Sequence, residues 1–132
     1  MSTVIDASVM VSYLINDEDS LAADSLLSQL NGAPIQVPSI WVYEIASAFR
    51  SAELSKRVTA QEAGAAMNFV RLFPAEHHHP NVEVIAALAR EQVLTVYDSS
   101  YLALCLRDGL PLATHDRKLA DAAHRLGIRL LI

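Results

Sequence analysis

Four acidic side chains, spread over most of the chain, could together bind a divalent cation. They are Asp6, Glu44, Asp98 and Asp116. Hard cations such as Mg²⁺ and Mn²⁺ prefer carboxylate oxygens and water as ligands. A bound cation of this kind lowers the pKa of a coordinated water and offsets negative charge on phosphate oxygens. If the fold brings the carboxylates together, hydrolysis of a phosphate ester is the chemistry that they suit.

Each acid also has an ordinary structural explanation, which the sequence leaves open. Asp98 and Asp116 are good candidates for helix N-caps, whose side chains accept hydrogen bonds from backbone N–H groups. Asp6 could be a turn residue that bonds its own backbone. Glu44 lies three residues after Trp41, on the face of an apolar stripe. A carboxylate there needs a partner, such as a salt bridge, or an edge position that reaches solvent.

The elements that would position these acids alternate between short apolar segments and longer segments of helical spacing. Strands are predicted at residues 3–5, 35–37, 75–79, 112–114 and 128–132. Helices are predicted at residues 8–15, 21–30, 39–52, 60–72, 82–92, 99–108 and 118–126, with Ser39 as the N-cap of the third. The alternation predicts an α/β fold, a three-layer α/β/α sandwich with a mostly parallel sheet. The length of 132 residues fits one domain, 1–132.

Two of the acids occupy the positions where such sheets bind ligands. Asp6 directly follows the first strand, and one residue separates Asp116 from the fourth. Ligands of open α/β sheets bind outside the carboxyl ends of the strands. Asp98 precedes a predicted helix, from whose start it could reach the same edge of the sheet.

Composition and charge restrict the classes of function. The chain is 52% hydrophobic and 19% charged, which is typical of globular proteins. No apolar run approaches the ~18 residues of a membrane span, and the N-terminus lacks a secretory pattern. The single cysteine suits a reducing compartment, so we predict a cytoplasmic location. The net charge of -5 argues against a broad basic surface for nucleic acids.

Four short stretches match a known family in order and spacing. They begin at Thr3, Pro38, Val96 and Leu112, and they read TVIDAS, PSIWVYE, VYDSSYLAL and LATHDRKL. With these stretches the chain resembles a PIN domain, and in particular a VapC-type toxin of a bacterial or archaeal toxin–antitoxin pair. The resemblance extends over essentially the whole chain.

The resemblance implies a parallel five-stranded sheet, helices on both sides and an acidic pocket at the strand ends. Members of the family cut RNA with magnesium or manganese and are silenced by a cognate antitoxin. RNA, an antitoxin and a second copy of the chain are therefore the expected partners. By position, the four acids match the family's metal-binding acids, and two further residues match its supporting hydroxyls, Ser8 and Thr114. Some relatives have a further acid after the Thr-x-Asp motif, where this chain has Arg117 and Lys118.

The number of acids leads to two expectations. Mg²⁺ usually takes only one or two carboxylates directly, so we expect Asp6 to be a direct ligand and the others to act through water. Two unit charges 4 Å apart repel by about 4 kcal/mol at an effective dielectric constant of 20. Without a cation, some of the acids should therefore have raised pKa values.

Other functions remain open at this point. Asp6 after the first strand also fits a haloacid-dehalogenase-like phosphatase, although that class expects a second acid where this chain has Ser8. A catalytically degenerate PIN fold that acts as a binding module is the non-enzymatic alternative. His77 and His79 would share a strand face, but no cysteine or acid lies at a zinc-motif spacing. Trp41 could stack on a base, although core packing is favoured.

Overall fold

The computed structural model describes residues 2–17 and 19–132. Within these residues the centre of the molecule is a four-stranded, fully parallel sheet. The strands lie in the order β3-β2-β1-β4. Their bounds are β1 Val4–Ile5, β2 Ile35–Pro38, β3 Ala75–His78 and β4 Leu112–Ala113. Strands β1, β2 and β4 are completely buried, whereas the edge strand β3 is partly exposed.

Six helices connect the strands in the described part of the chain, and a seventh follows β4. They are α1 Ala7–Ile15, α2 Ser20–Gln29, α3 Trp41–Leu54, α4 Ala60–Leu72, α5 Val82–Gln92, α6 Val96–Asp108 and α7 Arg117–Arg125. The crossovers from β1 to β2 to β3 step in one direction, and the crossover from β3 to β4 returns across the sheet. Right-handed crossovers therefore place α1–α4 on one face and α5–α6 on the other. The α/β sandwich predicted from the sequence is confirmed.

The prediction of a fifth strand at 128–132 is wrong. This segment forms only an isolated parallel bridge between Leu130 and Leu112. Two backbone hydrogen bonds of 2.9 Å join the segment to Leu112. Strand β4 is itself two residues long, after which the chain turns towards α7, so the ladder has no further residues to pair.

Two helix starts also differ from the sequence prediction. Ser39 does not cap α3, because the helix begins only at Trp41. The backbone N–H of Ser39 instead donates to the His78 carbonyl at 2.8 Å and extends the pairing of β2 with β3. The N-cap of α3 is Ile40, without a side-chain cap. Helix α6 begins three residues earlier than predicted, because the hydroxyl of Thr95 caps it. At its other end, Gly109 adopts the left-handed conformation with φ 64°.

The buried side chains form one hydrophobic cluster on both sides of the sheet. Trp41 is fully buried in it, so the packing interpretation of this residue is confirmed and the base-stacking one is wrong. Cys105 is also buried, and burial raises the pKa of its thiol to about 12, as expected of an inert core cysteine. No helix in the described residues is both long and apolar enough to cross a membrane.

Candidate active site at the strand ends

Asp6 is held rigidly where β1 ends. Its backbone N–H donates to the Ala113 carbonyl of β4 at 2.9 Å. Its side chain is 6% exposed, and one carboxylate oxygen, Oδ2, accepts two hydrogen bonds. Ser8 Oγ donates at 2.8 Å and Thr114 Oγ1 donates at 2.7 Å. The burial of β1 and β4 thus fixes the backbone, and two hydroxyls fix the carboxylate.

The same two hydroxyls also order the loop after β4. Ser8 Oγ accepts a hydrogen bond from the backbone N–H of His115 at 3.0 Å. Thr114 Oγ1 accepts one from the backbone N–H of Asp116, also at 3.0 Å. Each hydroxyl therefore donates to Asp6 and accepts from the chain that leads to Asp116. The structure brings Ser8 and Thr114 into contact with Asp6, as the resemblance implies.

Glu44 has a partner that was not predicted from the sequence. The phenol of Tyr101 donates to Glu44 Oε1 at 2.6 Å, and Tyr101 itself is fully buried. The phenol oxygen also accepts a long hydrogen bond, 3.4 Å, from the backbone N–H of Ala7. Within the described residues Glu44 forms no salt bridge, so that explanation of its position is wrong. Tyr101 follows Asp98 by three residues and therefore shares its face of α6, which is the signal that could have identified it.

Asp98 and Asp116 occupy different positions at the starts of their helices. Asp98 is not an N-cap, because Thr95 Oγ1 already accepts the backbone N–H of Asp98 at 3.0 Å. Asp116 is the N-cap of α7, and its carboxylate accepts the backbone N–H of Leu119 at 3.1 Å. The capping prediction is thus confirmed for Asp116 and wrong for Asp98, whose carboxylate lies in the first turn of α6 without that structural role.

The four carboxylates line a single open cavity of about 250 Å³. Ala7, Ser8, Val11 and Ala48 complete its wall. Among the described residues no lysine, arginine or histidine lines this cavity, so no basic side chain of the chain itself neutralises the acids. Four elements that are distant in sequence, β1, α3, α6 and the segment after β4, therefore converge on one acidic site.

Burial and mutual repulsion raise the pKa values of three of these acids. Burial is the main cause at Asp6, where the hydrogen bonds from the two hydroxyls oppose it. The pKa of Glu44 is raised to about 7, mainly by burial, although the hydrogen bond from Tyr101 lowers it. Burial and the charges of Asp116 and Asp6 raise the pKa of Asp98. The expectation of raised pKa values is confirmed, and such a site favours protons or cations.

The donor set fits a hard divalent cation that retains water. In the described residues, no group of three or more His, Cys, Asp or Glu side chains is arranged to hold one metal ion directly. The acids nevertheless line one cavity and supply only oxygen donors. This combination suits Mg²⁺, which takes one or two carboxylates and completes its shell with water. The residues therefore fit the expected cation, with Asp6 as the most rigid candidate ligand.

Two histidines of β3 and Lys118 do not line this cavity. His78 contacts Gln36 Oε1 through Nε2 at 2.6 Å and Arg107 through Nδ1 at 3.0 Å. His77 packs its ring edge-on against Trp41, with ring centroids 6.1 Å apart. Lys118 lies close enough to Asp98 for its charge to lower the pKa of that carboxyl.

Comparisons with known proteins identify the family. A family model described as the PIN domain matches residues 3–125. The ribonuclease VapC3 of Pyrobaculum aerophilum is 30% identical to the chain in an alignment 125 residues long, which covers 92% of this chain and 94% of that protein.

Three solved structures have the same fold. PAE2754 from Pyrobaculum aerophilum matches with a TM-score of 0.75 at 21% identity, over 98% of this chain and 83% of that one. VapC20 from Mycobacterium tuberculosis, a toxin that cleaves the sarcin–ricin loop, matches with a TM-score of 0.69 at 16% identity, over 91% and 94% of the two chains. VapBC2 from Rickettsia felis, bound to a DNA fragment from its promoter, gives 0.64 at 14% identity, over 99% and 98%. The family model and the 30% identical relative together show that the chain belongs to the PIN-domain family, as a VapC-type member.

Proposed function

We propose that the chain is a metal-dependent endoribonuclease and the toxin of a toxin–antitoxin pair. The observation that supports this most directly is the convergence of Asp6, Glu44, Asp98 and Asp116 on one cavity in a PIN-family chain. The names of the relatives agree, since VapC3 is a ribonuclease and VapC20 a cleaving toxin. The phosphatase alternative loses its basis, because the chain belongs to a different family and has Ser at position 8.

Each acid has a proposed role that follows from its surroundings. Asp6, fixed by two hydroxyls, is the direct ligand for Mg²⁺ or Mn²⁺. Asp98 and Asp116 act through coordinated water. Glu44, held by Tyr101, has the raised pKa that suits a group exchanging a proton with water near neutral pH. When bound, the cation supplies an activated water and offsets the charge on the phosphate.

Ser8 and Thr114 are positioning residues in this proposal. Both contact Asp6 Oδ2, and both also hold the backbone that leads to Asp116. Their hydroxyls keep two acids at a constant separation while the charge in the cavity changes. Such partners of metal ligands typically contribute 10–100-fold to metal affinity or activity.

Cleavage of a structured RNA tests the proposed function. Wild-type protein is assayed with Mg²⁺, with Mn²⁺ and with a chelator, and so is Asp6→Asn. We expect the variant to lose about 10²-fold or more of the activity, because charge stabilisation at the phosphate depends on the cation. Asp24→Asn, an exposed acid of α2, is the matched control and should retain activity.

Three results would contradict the proposal in different ways. Cleavage that persists in the chelator refutes metal dependence. Turnover of a phosphate monoester without RNA cleavage supports the phosphatase alternative. Binding of RNA without cleavage under either metal indicates the catalytically degenerate binding module.

An antitoxin is the proposed protein partner, and a second copy of the chain the proposed assembly. The R. felis relative is a VapBC complex, which supports the first of these. Because none of the described basic residues of the chain lines the acid cavity, an inhibitor that inserts an arginine or lysine would make charge-assisted hydrogen bonds there. The homodimer and the cytoplasmic location stay predictions.

A further inference from the structure

A second cavity lies directly beside the acidic one. It has a volume of about 700 Å³ and shares Glu44 and Ala48 with the acid cavity. Its remaining lining comes from the exposed face of α3 and from Tyr97 at the start of α6. Pockets that hold small organic groups have volumes of roughly 300–1,000 Å³, so the space is sufficient for a flat heterocycle.

Two exposed tyrosines line this second cavity. Tyr43 is 74% exposed and Tyr97 is 61% exposed. Each precedes one of the acids by a single residue, Tyr43 before Glu44 and Tyr97 before Asp98. Among the described residues, neither ring pairs with another aromatic ring. Two large rings at the border of the site are therefore open to a ligand.

Apart from Glu44 the rest of the lining is uncharged, with Ile40 as its one large apolar side chain. Ser47 and Ser51 lie one helical turn apart on α3, and both are exposed. Their hydroxyls can donate to and accept from the edge of a planar polar group. Among the described residues no lysine or arginine lines this cavity, so it does not suit a phosphate. Aromatic faces beside hydroxyls and without positive charge match a neutral nucleobase.

We propose that Tyr43 and Tyr97 form a stacking subsite for an unpaired nucleobase next to the phosphodiester bond in the acid cavity. This inference rests on the proposed function, since it names how the RNA is held at that site. Single-stranded RNA is commonly bound by stacking its bases on aromatic side chains, largely without regard to sequence. The shared wall at Glu44 and Ala48 places the base site directly beside the phosphate site, which a docking surface for a protein would not require.

The test uses the full chain with Asp6→Asn, so that RNA is not cut in the presence of Mg²⁺. A short single-stranded RNA that contains the fluorescent base 2-aminopurine is titrated with this protein. Stacking quenches the fluorescence of 2-aminopurine, and Tyr43→Ala or Tyr97→Ala should reduce this quenching. The same variants should lower the affinity for the RNA about 5- to 150-fold, which corresponds to about 1–3 kcal/mol per stacked base.

Control variants separate stacking from a general loss of structure. Tyr43→Phe keeps the ring and should retain the quenching. Leu72→Ala removes a 66% exposed apolar side chain outside this cavity and should change nothing. In the wild-type background, the alanine variants should raise KM for RNA and leave the metal dependence of cleavage unchanged.

The outcomes distinguish this subsite from the proposed function and from a protein-docking face. RNA cleavage by the wild type, with unchanged quenching in both alanine variants, overturns the subsite alone. Tyrosine-dependent quenching in the Asp6→Asn background, together with no RNA cleavage by the wild type, supports the subsite and refutes the ribonuclease. If sedimentation shows that the alanine variants dissociate a dimer or lose the antitoxin while RNA affinity is unchanged, the face binds protein and the subsite is wrong.

Discussion

Glu44 has a pKa raised to about 7, so a cation that enters the acid cavity at neutral pH meets a carboxyl that is protonated part of the time. A metal ion binds the ionised form, and its binding therefore releases the proton. With a pKa of about 7, Glu44 is roughly 90% protonated at pH 6 and roughly 10% at pH 8. The apparent affinity for Mn²⁺ should consequently rise about tenfold between these pH values through this group alone.

Calorimetric titration measures both the affinity and the number of protons released. Mn²⁺ is titrated into the protein at pH 6, 7 and 8 in buffers of different ionisation enthalpy. Wild-type protein should release roughly 0.9 of a proton from Glu44 at pH 6 and roughly 0.1 at pH 8, in addition to any from Asp6 and Asp98. Glu44→Gln has no proton to release at this position and should lose the tenfold dependence.

The affinity for Mn²⁺ should rise with pH because the pKa of Glu44 is raised. Since the raised pKa favours the protonated form, the competition between proton and cation is strongest at low pH and disappears above the raised pKa. If Mn²⁺ affinity is equal at pH 6 and pH 8, or if Glu44→Gln releases as many protons as the wild type, the assignment of Glu44 to the metal site is refuted.

Three further predictions concern the residues around it. Mg²⁺ or Mn²⁺ at a free concentration of 100 times Kd should raise the free energy of unfolding by about 2.7 kcal/mol and with it the melting temperature. Calorimetry should find most of that gain lost in Asp6→Asn, and an equal gain in both proteins contradicts the ligand role of Asp6. Tyr101→Phe removes the hydrogen bond that lowers the Glu44 pKa, so the acidic limb of the cleavage pH profile should move to higher pH, and an unmoved limb rejects this coupling. Thr114→Val removes a donor to Asp6 and an acceptor for the loop after β4; metal affinity, measured by titration, should fall about 10–100-fold, and an unchanged affinity makes the hydroxyl purely structural.

Local patterns predicted most of the fold. Each helix has a clear periodic or capping signal, and the order of strands and helices was enough to place Asp6 and Asp116 at strand ends. The fifth strand failed because an apolar run such as 128–132 indicates burial but not how many partner residues are available. Strand β4 offers only two. Pairing partners are a property of the assembled sheet, which a single segment does not contain.

The site was predicted less completely than the fold. The spacing of Tyr101 from Asp98 was the available signal, but a tyrosine in an apolar helix is normally a core residue, and the spacing does not show that Glu44 is its partner. Sequence alone also does not show which aromatic residues near the site are buried and which are exposed. Trp41 and Tyr43 lie two positions apart on α3, and their order of burial, 0% against 74% exposed, is set by where the sheet packs against the helix.

The net charge of -5 is less of an obstacle to RNA binding than the sequence suggests, because part of it lies in the acid cavity. Four of the fifteen acids lie in one cavity, and a bound cation offsets part of their charge. Of the ten lysines and arginines, Arg50 lies 3.4 Å from Glu53 and Arg107 lies 2.8 Å from Asp108, and none of those in the described residues lines either cavity. Phosphate contacts by lysine and arginine weaken steeply with salt, whereas stacking does so much less. In the proposed function the cation compensates the charge of the phosphate, and in the proposed subsite the two tyrosine rings bind the base, so neither role requires a lysine or arginine in the two cavities.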